Sequence, residues 1–174
     1  AAEKAKRKRL LAEMLDEDAL KRFEHVEAVL AIQKLKHTYW HYNDTGLRGD
    51  KVAQLFTEDG VWSNAELGHY EGREAIRTFF NGASELIPFC AHVGMNEIID
   101  IDGDSAQAKW RCLLTCTLVD DGKEASRVIL LDYRDDFTRI DGRWLIKKLD
   151  IMFNFNVDYA NGWAGVAKVR EGEA

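Results

Sequence analysis

The sequence predicts an α+β domain in which a curved antiparallel sheet wraps helices that come first in the chain. In the first half, apolar residues recur at three- or four-residue spacing, the period of helices with one buried face. The second half consists of long stretches of strand-forming residues, separated by short turns that contain Asp and Gly. The length of 174 residues suits one such domain with a sizeable core.

Composition excludes several classes of protein. The chain is 46% hydrophobic and 31% charged, which is typical of a globular protein rather than a disordered one. Its net charge of −6 argues against nucleic acid as a partner, because nucleic-acid-binding domains present a basic surface. No apolar run approaches the roughly 20 residues of a membrane span, and no signal-peptide core follows the basic start. We therefore expect a cytoplasmic protein.

The three cysteines, Cys90, Cys112 and Cys116, predict buried reduced thiols. Their number is odd, and their spacing lacks the pairs that are typical of a zinc site. The sequence also contains no phosphate- or nucleotide-binding motif. We therefore expect neither a metal nor a cofactor.

Helices dominate the first part of the chain. Residues 1–20 are charged and favour a helical arm. A helix with one buried stripe follows from Phe23 and ends at the turn residues 43–46. The inward stripe contains Ile32, Leu35, Tyr39 and Tyr42. Trp40, next to Tyr39, is expected to point away from the core and is a candidate for a subunit interface.

Shorter elements connect this helix to the sheet. The pattern predicts a short helix at residues 50–56, a turn at 57–60 and a short strand at 61–64. A third helix is expected from Arg73 to about Gly82, with its apolar residues on one stripe.

Four long strands are predicted after Pro88. They span residues 89–100, 106–119, 127–140 and 144–156, and hairpin-type turns join them at 102–104, 120–123 and 141–143. Residues 21–156 therefore form the predicted domain, and residues 157–174 are left as a C-terminal tail.

Four fragments, in this order, resemble the SnoaL-like branch of the nuclear transport factor 2-like superfamily. They are residues 32–39 (IQKLKHTY), 55–62 (LFTEDGVW), 70–76 (YEGREAI) and 141–146 (DGRWLI). The resemblance covers about residues 23–155. It implies a cone, in which three helices close one end of a strongly bent antiparallel sheet around a deep apolar pocket.

Within that superfamily the chain is most similar to the group that contains scytalone dehydratase, bile acid 7α-dehydratase and hexachlorocyclohexane dehydrochlorinase. This resemblance implies a catalytic dyad of Asp44 and His92, with Tyr39 in the pocket. A carboxylate orients an imidazole and stabilises its protonated form, so His92 would remove a proton from carbon. Tyr39 would hydrogen-bond a developing oxyanion or a departing hydroxyl group.

The chain departs from the bile acid enzyme where that enzyme has polar pocket residues. Leu114 stands in place of an aspartate, Phe153 falls near the position of an arginine, and Asn64 near that of a tyrosine. The resemblance therefore does not extend to steroid-specific chemistry. An apolar pocket wall is expected instead.

The predicted substrate-binding residues follow from strand alternation and from the family pattern. Alternation places Trp110, Cys112 and Leu114 on one face of a strand, and Trp62 with Asn64 on one face of another. Tyr42 and Phe153 complete the set. A pocket lined in this way suits a ring-containing substrate with little charge.

The sequence thus predicts a cofactorless lyase that acts on a hydrophobic, ring-containing small molecule by elimination or by retro-aldol cleavage. One alternative is a polyketide-cyclase-like isomerase that uses the same carboxylate. Another is a non-catalytic ligand-binding protein or the small subunit of a ring-hydroxylating dioxygenase. The family resemblance also implies a homodimer or homotrimer, with no nucleic-acid or membrane partner.

Overall fold

A computed structural model describes residues 3, 5–7, 10, 16–164 and 166. The first complete element is α1 (Glu17–Asp44), a helix of 28 residues. Asp16 begins it, because its carboxylate accepts a hydrogen bond from the backbone N–H of Ala19 at 2.8 Å. Half of the predicted arm lies outside the described residues, and residues 17–20 form the first turn of α1.

One face of α1 packs against the sheet. Its buried residues recur with the period of a helix, at Ala28, Ile32, Lys36, Tyr39, Trp40 and Asn43. The inward direction of Tyr39 is confirmed. The prediction for Trp40 is wrong, because Trp40 is only 5% exposed. Its indole ring lies against the backbone of Gly94, so the ring belongs to the core.

Six strands form one curved sheet in the order β2-β1-β6-β5-β4-β3. The strands are β1 (Phe56–Asn64), β2 (Gly68–Glu71), β3 (Phe89–Asp102), β4 (Ser105–Asp120), β5 (Lys123–Ile140) and β6 (Arg143–Asp158). The helices α2 (Gly49–Ala53) and α3 (Arg73–Ala83) flank β1 and β2 in the chain. The α+β prediction, with helices first and four long antiparallel strands after them, is confirmed.

The hairpin turns follow the predicted chemistry. Between β4 and β5, Asp121 and Gly122 have φ angles of 48° and 72°. Between β5 and β6, Asp141 and Gly142 have φ angles of 50° and 74°. Two successive residues with positive φ are what a two-residue hairpin turn of the primed type requires, and Asp-Gly supplies them.

The structure differs from the prediction at residues 56–60. The short helix ends at Ala53, and the residues expected to form a turn already belong to β1. Phe56 explains the difference, because it is fully buried and lies opposite Ile146 of β6. The β1–β6 pair is parallel, whereas the sheet is otherwise antiparallel, so its register is not visible in the local turn signals.

Alternate residues of the central strands face α1 and form the core with it. Trp110 of β4 pairs with Tyr133 of β5, and Ala108 pairs with Asp135. All four are buried. Within the described part of the chain, no helix combines the length and the apolar character that crossing a membrane would need.

Candidate active site

Asp44 and His92 form a hydrogen-bonded pair where α1 ends. Nδ1 of His92 lies 2.6 Å from Oδ1 of Asp44. The same carboxylate accepts the backbone N–H of His92 with both oxygens, each at 3.2 Å. The His92 side chain is 9% exposed and the Asp44 side chain 28% exposed. The predicted dyad residues are therefore in direct contact, close to the molecular surface.

The end of α1 explains why Asp44 turns toward β3. The helix ends where the backbone N–H and the hydroxyl group of Thr45 both donate to the carbonyl oxygen of His41, at 3.1 and 2.6 Å. A helix C-terminus carries partial negative charge, so a carboxylate is unfavourable there without compensating donors. The ring and the backbone N–H of His92 supply those donors.

The carboxylate also determines which nitrogen of His92 carries the proton. An ionised carboxylate can only accept hydrogen bonds, so the neutral imidazole donates from Nδ1. Its lone pair is then on Nε2, which is the nitrogen left to receive a proton. If the ring takes up that proton, the positive charge lies next to Asp44 and is stabilised by it.

Apolar side chains lie beside His92 on the same face of the sheet. Leu114 of β4 is its cross-strand partner. Two residues away, Cys112, Leu131 and Phe153 form the next row across β4, β5 and β6. Of the predicted pocket residues, Leu114 and Cys112 therefore lie on the strand next to His92. Phe153 lies on β6, which β5 and β4 separate from β3.

Asn64 lies on β1, which is next to β6, and its side chain already makes hydrogen bonds. Its amide donates to the carbonyl oxygen of Ile151 at 3.0 Å. Its oxygen accepts the backbone N–H groups of Glu66 and Leu67 at 3.0 and 2.9 Å. In this conformation the Asn64 side chain holds the β1–β2 turn.

Tyr39 lies deeper, with its hydroxyl group 2.9 Å from Nε1 of Trp62. Trp62 donates this bond, so the Tyr39 hydroxyl keeps its own proton for another acceptor. Both side chains are 2% exposed. Burial raises the pKa of Tyr39 far above its ordinary value, which keeps the hydroxyl neutral.

Two further predicted pocket residues lie on different sides of α1. Trp110 is buried, and its ring makes an edge contact with Trp40 at 5.7 Å between centroids. Tyr42 is half-buried near α2, where Nζ of Lys51 lies 5.4 Å from its ring centroid. Neither contact is with the dyad.

The interior holds a second charged pair, Lys36 and Asp135, which the sequence reasoning missed. Nζ of Lys36 lies 2.8 Å from Oδ2 of Asp135, and both side chains are completely buried. The ammonium group also lies 3.4 Å from the ring centroid of Tyr133 and 5.1 Å from that of Tyr39. Aromatic rings and this ion pair therefore fill the space between α1 and the central strands at this level, and the predicted deep pocket stays a prediction.

Burial shifts both members of this pair away from their charged forms. It lowers the pKa of Lys36 to about 8, although Asp135 opposes the shift. It raises the pKa of Asp135 to about 6, against the effect of Lys36. A signal was present in the sequence, since Lys36 continues the stripe of Ile32 at four-residue spacing and Asp135 alternates with Tyr133.

The site also contains a set of potential metal ligands. Asp44, Cys90 and His92 each offer one ligand atom, and these atoms lie within 4.8 Å of one another. Three protein ligands of such types occur at catalytic zinc sites. Burial, followed by the nearby Asp44 carboxylate, raises the pKa of Cys90 to about 12, so the thiol keeps its proton. The absence of a metal stays a prediction.

Comparison with known proteins gives a family and a fold. The sequence profile of the SnoaL-like domain matches residues 24–150. A search of curated proteins found no match.

Several solved structures are similar. A hexachlorocyclohexane dehydrochlorinase, LinA-type3, from Novosphingobium barchaimii is 22% identical, with a TM-score of 0.72 over 86% of this chain and 99% of that one. A putative scytalone dehydratase from Novosphingobium aromaticivorans is 21% identical, with a TM-score of 0.70 over 78% and 89%. A putative aromatic ring hydroxylase from Novosphingobium aromaticivorans is 24% identical, with a TM-score of 0.69 over 78% and 96%. At these identities the similarity establishes the fold.

Proposed function

The chain belongs to the SnoaL-like domain family, and on that premise we propose that it is a cofactorless lyase whose general base is His92. The observation that carries the proposal is the 2.6 Å hydrogen bond between Nδ1 of His92 and Oδ1 of Asp44. This bond leaves Nε2 as the basic nitrogen. The proposal agrees with the names of two fold relatives, a dehydrochlorinase and a putative scytalone dehydratase.

The proposed reaction is an elimination assisted by the dyad. Nε2 of His92 takes a proton from a carbon next to the one that bears a leaving group. The electron pair of that C–H bond forms a C=C bond, and the leaving group departs with its own bonding pair. Asp44 stabilises the imidazolium ion that results, and general-base assistance of this kind contributes roughly 10²- to 10⁴-fold in rate.

Retro-aldol cleavage would use the same base on a different proton. Nε2 of His92 would then deprotonate a hydroxyl group on the carbon β to a carbonyl group. The O–H electron pair forms the C=O bond of the departing aldehyde, and the pair of the broken C–C bond moves into the carbonyl group to give an enolate. Tyr39 serves either version as a neutral hydrogen-bond donor to the oxygen that gains negative charge, because its own proton is not used in the bond from Trp62.

The substrate we propose is a hydrophobic small molecule that contains a ring. Leu114 and Cys112 lie on the strand next to His92, Phe153 continues the row of Cys112 on β6, and none of the three carries a charge. An apolar wall next to a single polar dyad favours an apolar body with one reactive polar centre.

We also propose that the protein works in the cytoplasm as a homodimer or homotrimer. The three cysteines are free thiols, which suits a reducing compartment. Large apolar side chains are exposed on α1 and β3, among them Val26, Leu30, Val93 and Ile98. Such side chains are common where subunits meet.

The proposal is tested by turnover without added cofactor. Hydroxylated and halogenated ring compounds are incubated with the protein, and the release of water, halide or an aldehyde is measured. His92→Ala and Asp44→Asn should each reduce turnover at least about 100-fold. The matched controls are His69→Ala and Asp102→Asn, two exposed residues away from the dyad, and they should keep wild-type rates.

Other outcomes point to the alternatives. An isomeric product of unchanged mass would indicate a cyclase or isomerase. Co-purification with a large oxygenase chain, without turnover, would indicate a small subunit. Full activity in both dyad variants would contradict the proposal.

A further inference from the structure

The helix α1 and the edge strand β3 touch at matched positions along their lengths. Asp44 contacts His92 near one end, and Trp40 lies against Gly94. In α1, Trp40 and Asp44 are four residues apart, which corresponds to a rise of about 6 Å. In β3, Gly94 and His92 are two residues apart, which corresponds to about 6.6 Å. The two contacts therefore form successive rungs between helix and strand.

Gly94 lacks a side chain because the indole ring of Trp40 occupies that space. A Cβ atom at Gly94 would overlap Cη2 and Cζ3 of Trp40 and would lie 2.8 Å from Cζ2. The backbone of Gly94 is not in the left-handed region, so its conformation would accept another residue. The tryptophan ring alone explains the glycine at this position.

The indole ring is held on its other sides as well. It meets Trp110 edge-on at 5.7 Å between centroids and Tyr133 at 5.9 Å. His37 stacks on it at 5.7 Å, one helical turn earlier. His37 is exposed, but Trp110 and Tyr133 are buried, so the indole cannot move toward them without a cost in stability. Trp40 is thus a rigid spacer between α1 and the backbone of β3.

The contacts beyond Gly94 are less able to fix the position of α1. Gln33 donates to Glu97 at 2.9 Å, but this bond is exposed and joins two flexible side chains. A register shift in β3 between Met95 and Ile98 also separates Glu97 from Gly94. On this side of the dyad the Trp40–Gly94 contact is the nearest rigid one. On the other side, the buried Cys90 thiol donates to the carbonyl oxygen of Asn43 at 3.4 Å.

From this geometry we infer that Trp40 and Gly94 are positioning residues for the dyad. The indole ring seated on Gly94 sets the register of α1 along β3, and this register holds the Asp44 carboxylate at Nδ1 of His92. Displacement by even one residue of helix rise, about 1.5 Å, would exceed the tolerance of a hydrogen bond. The inference rests on the proposed function of the dyad. Neither Trp40 nor Gly94 touches the reacting atoms, so both act through the position of Asp44.

The test places a methyl group under the ring. Gly94→Ala should force the indole away from β3 and weaken the bond from Nδ1 of His92 to Asp44. The measurement is ¹⁵N NMR of the His92 ring, which reports which nitrogen carries the proton and needs no substrate. In Gly94→Ala we expect the Nδ1–H form to lose its dominance, whereas Gly82→Ala, a glycine of α3 with open space at Cβ, should leave the ring signals unchanged.

Rescue distinguishes a positioning role from general damage. In Trp40→Phe/Gly94→Ala, the smaller ring removes the atoms that meet the new methyl group, so the Nδ1–H form should return. Trp40→Phe alone should show intermediate signals, and this variant keeps the inference testable if Gly94→Ala does not fold. With an active substrate, Gly94→Ala should lower kcat at least tenfold with little change in KM.

Wild-type His92 signals in folded Gly94→Ala or in Trp40→Phe would overturn the inference. So would a double variant that folds but does not recover the Nδ1–H form. These results are separable from failure of the proposed function, which would appear as unchanged turnover in Asp44→Asn while the ring signals respond as expected.

Discussion

The helix α1 carries one member of each of two ion-pair-like contacts, and the two contacts differ in almost every respect. Asp44 meets His92 at the helix end, where the side chains are 28% and 9% exposed. Lys36 meets Asp135 eight residues earlier, about 12 Å along the axis, where both side chains are completely buried. The first contact lies close to the surface, and the second is sealed in the interior.

The difference in burial gives the two contacts different energetic consequences. A carboxylate near the surface keeps part of its hydration while it holds a neighbouring imidazole in one orientation. A sealed ion pair loses the hydration of both charges, and its mutual attraction rarely compensates in full. The pKa shifts of Lys36 and Asp135, both away from the charged form, agree with a net penalty.

The largest effect is expected when the sealed pair is broken on one side. Lys36→Met leaves the Asp135 carboxylate buried without its partner, so the free energy of unfolding should fall by about 3–5 kcal/mol. Lys36→Met/Asp135→Leu removes both charges and should be within about 1 kcal/mol of wild type or more stable. Urea unfolding measures both. Equal losses in the single and double variants would contradict the account.

The same pair should give a distinctive pH dependence. Burial raises the pKa of Asp135 from 3.8 to about 6, so the folded protein binds the extra proton and loses stability as pH rises through that window. Burial lowers the pKa of Lys36 from 10.5 to about 8, so the unfolded chain binds the extra proton and stability rises with pH between those values.

The measurement is the difference in unfolding free energy between wild type and Lys36→Met/Asp135→Leu across pH, because the two proteins share every other titrating group. The wild-type protein should be relatively weakest between about pH 6 and 8, the range bounded by the two shifted pKa values. If this difference in unfolding free energy did not change with pH, folding would not shift the pKa values of Lys36 and Asp135, and the account would be contradicted.

A smaller effect is expected at the neutral hydrogen bond from Trp62 to Tyr39, a residue that lies between Lys36 and Asp44 in α1. Tyr39→Phe leaves the indole N–H of Trp62 buried without its acceptor, and stability should fall by about 1–3 kcal/mol. The controls are Trp62→Phe alone and the double variant Tyr39→Phe/Trp62→Phe. The double variant should lose less unfolding free energy than the two single variants lose together. Strict additivity would mean that the bond does not couple the two residues.

The smallest effect is expected at an ion pair on the outside of the sheet. The Arg111 guanidinium donates to Asp132 at 2.8 and 3.3 Å, but the Arg111 side chain is 50% exposed. Arg111→Gln should change stability by only about 0–1 kcal/mol, and added salt should reduce the change further. A loss comparable to that of Lys36→Met would show that burial is not what separates these pairs.

Local chemistry predicts much of this fold from the sequence. The Asp-Gly turns at residues 121–122 and 141–142 require positive φ, and alternation in β4 places Trp110 and Cys112 on the buried face. Residues 56–60 could not be predicted in the same way, because their strand depends on a parallel partner, β6, that lies far along the chain.

In the candidate site, too, the features that depend on distant residues could not be predicted from local sequence. The contact between Asp44 and His92 was expected from a family resemblance, because nothing local relates residues 48 positions apart. Lys36 was missed because lysine is rarely buried without a partner, and its partner Asp135 lies in β5. Trp40 was predicted to point outward because the space for its ring is created by Gly94, which lies in β3 and is distant in the sequence.

The most direct test of the central claim is the protonation pattern of the neutral His92 ring, read from its two ¹⁵N signals. We expect Nδ1 to carry the proton in the wild-type protein and Nε2 to be unprotonated, and we expect this preference to weaken in Asp44→Asn. If the wild-type ring were protonated at Nε2 and Asp44→Asn did not change this, Nε2 would have no lone pair with which to accept a proton. That result would contradict the account.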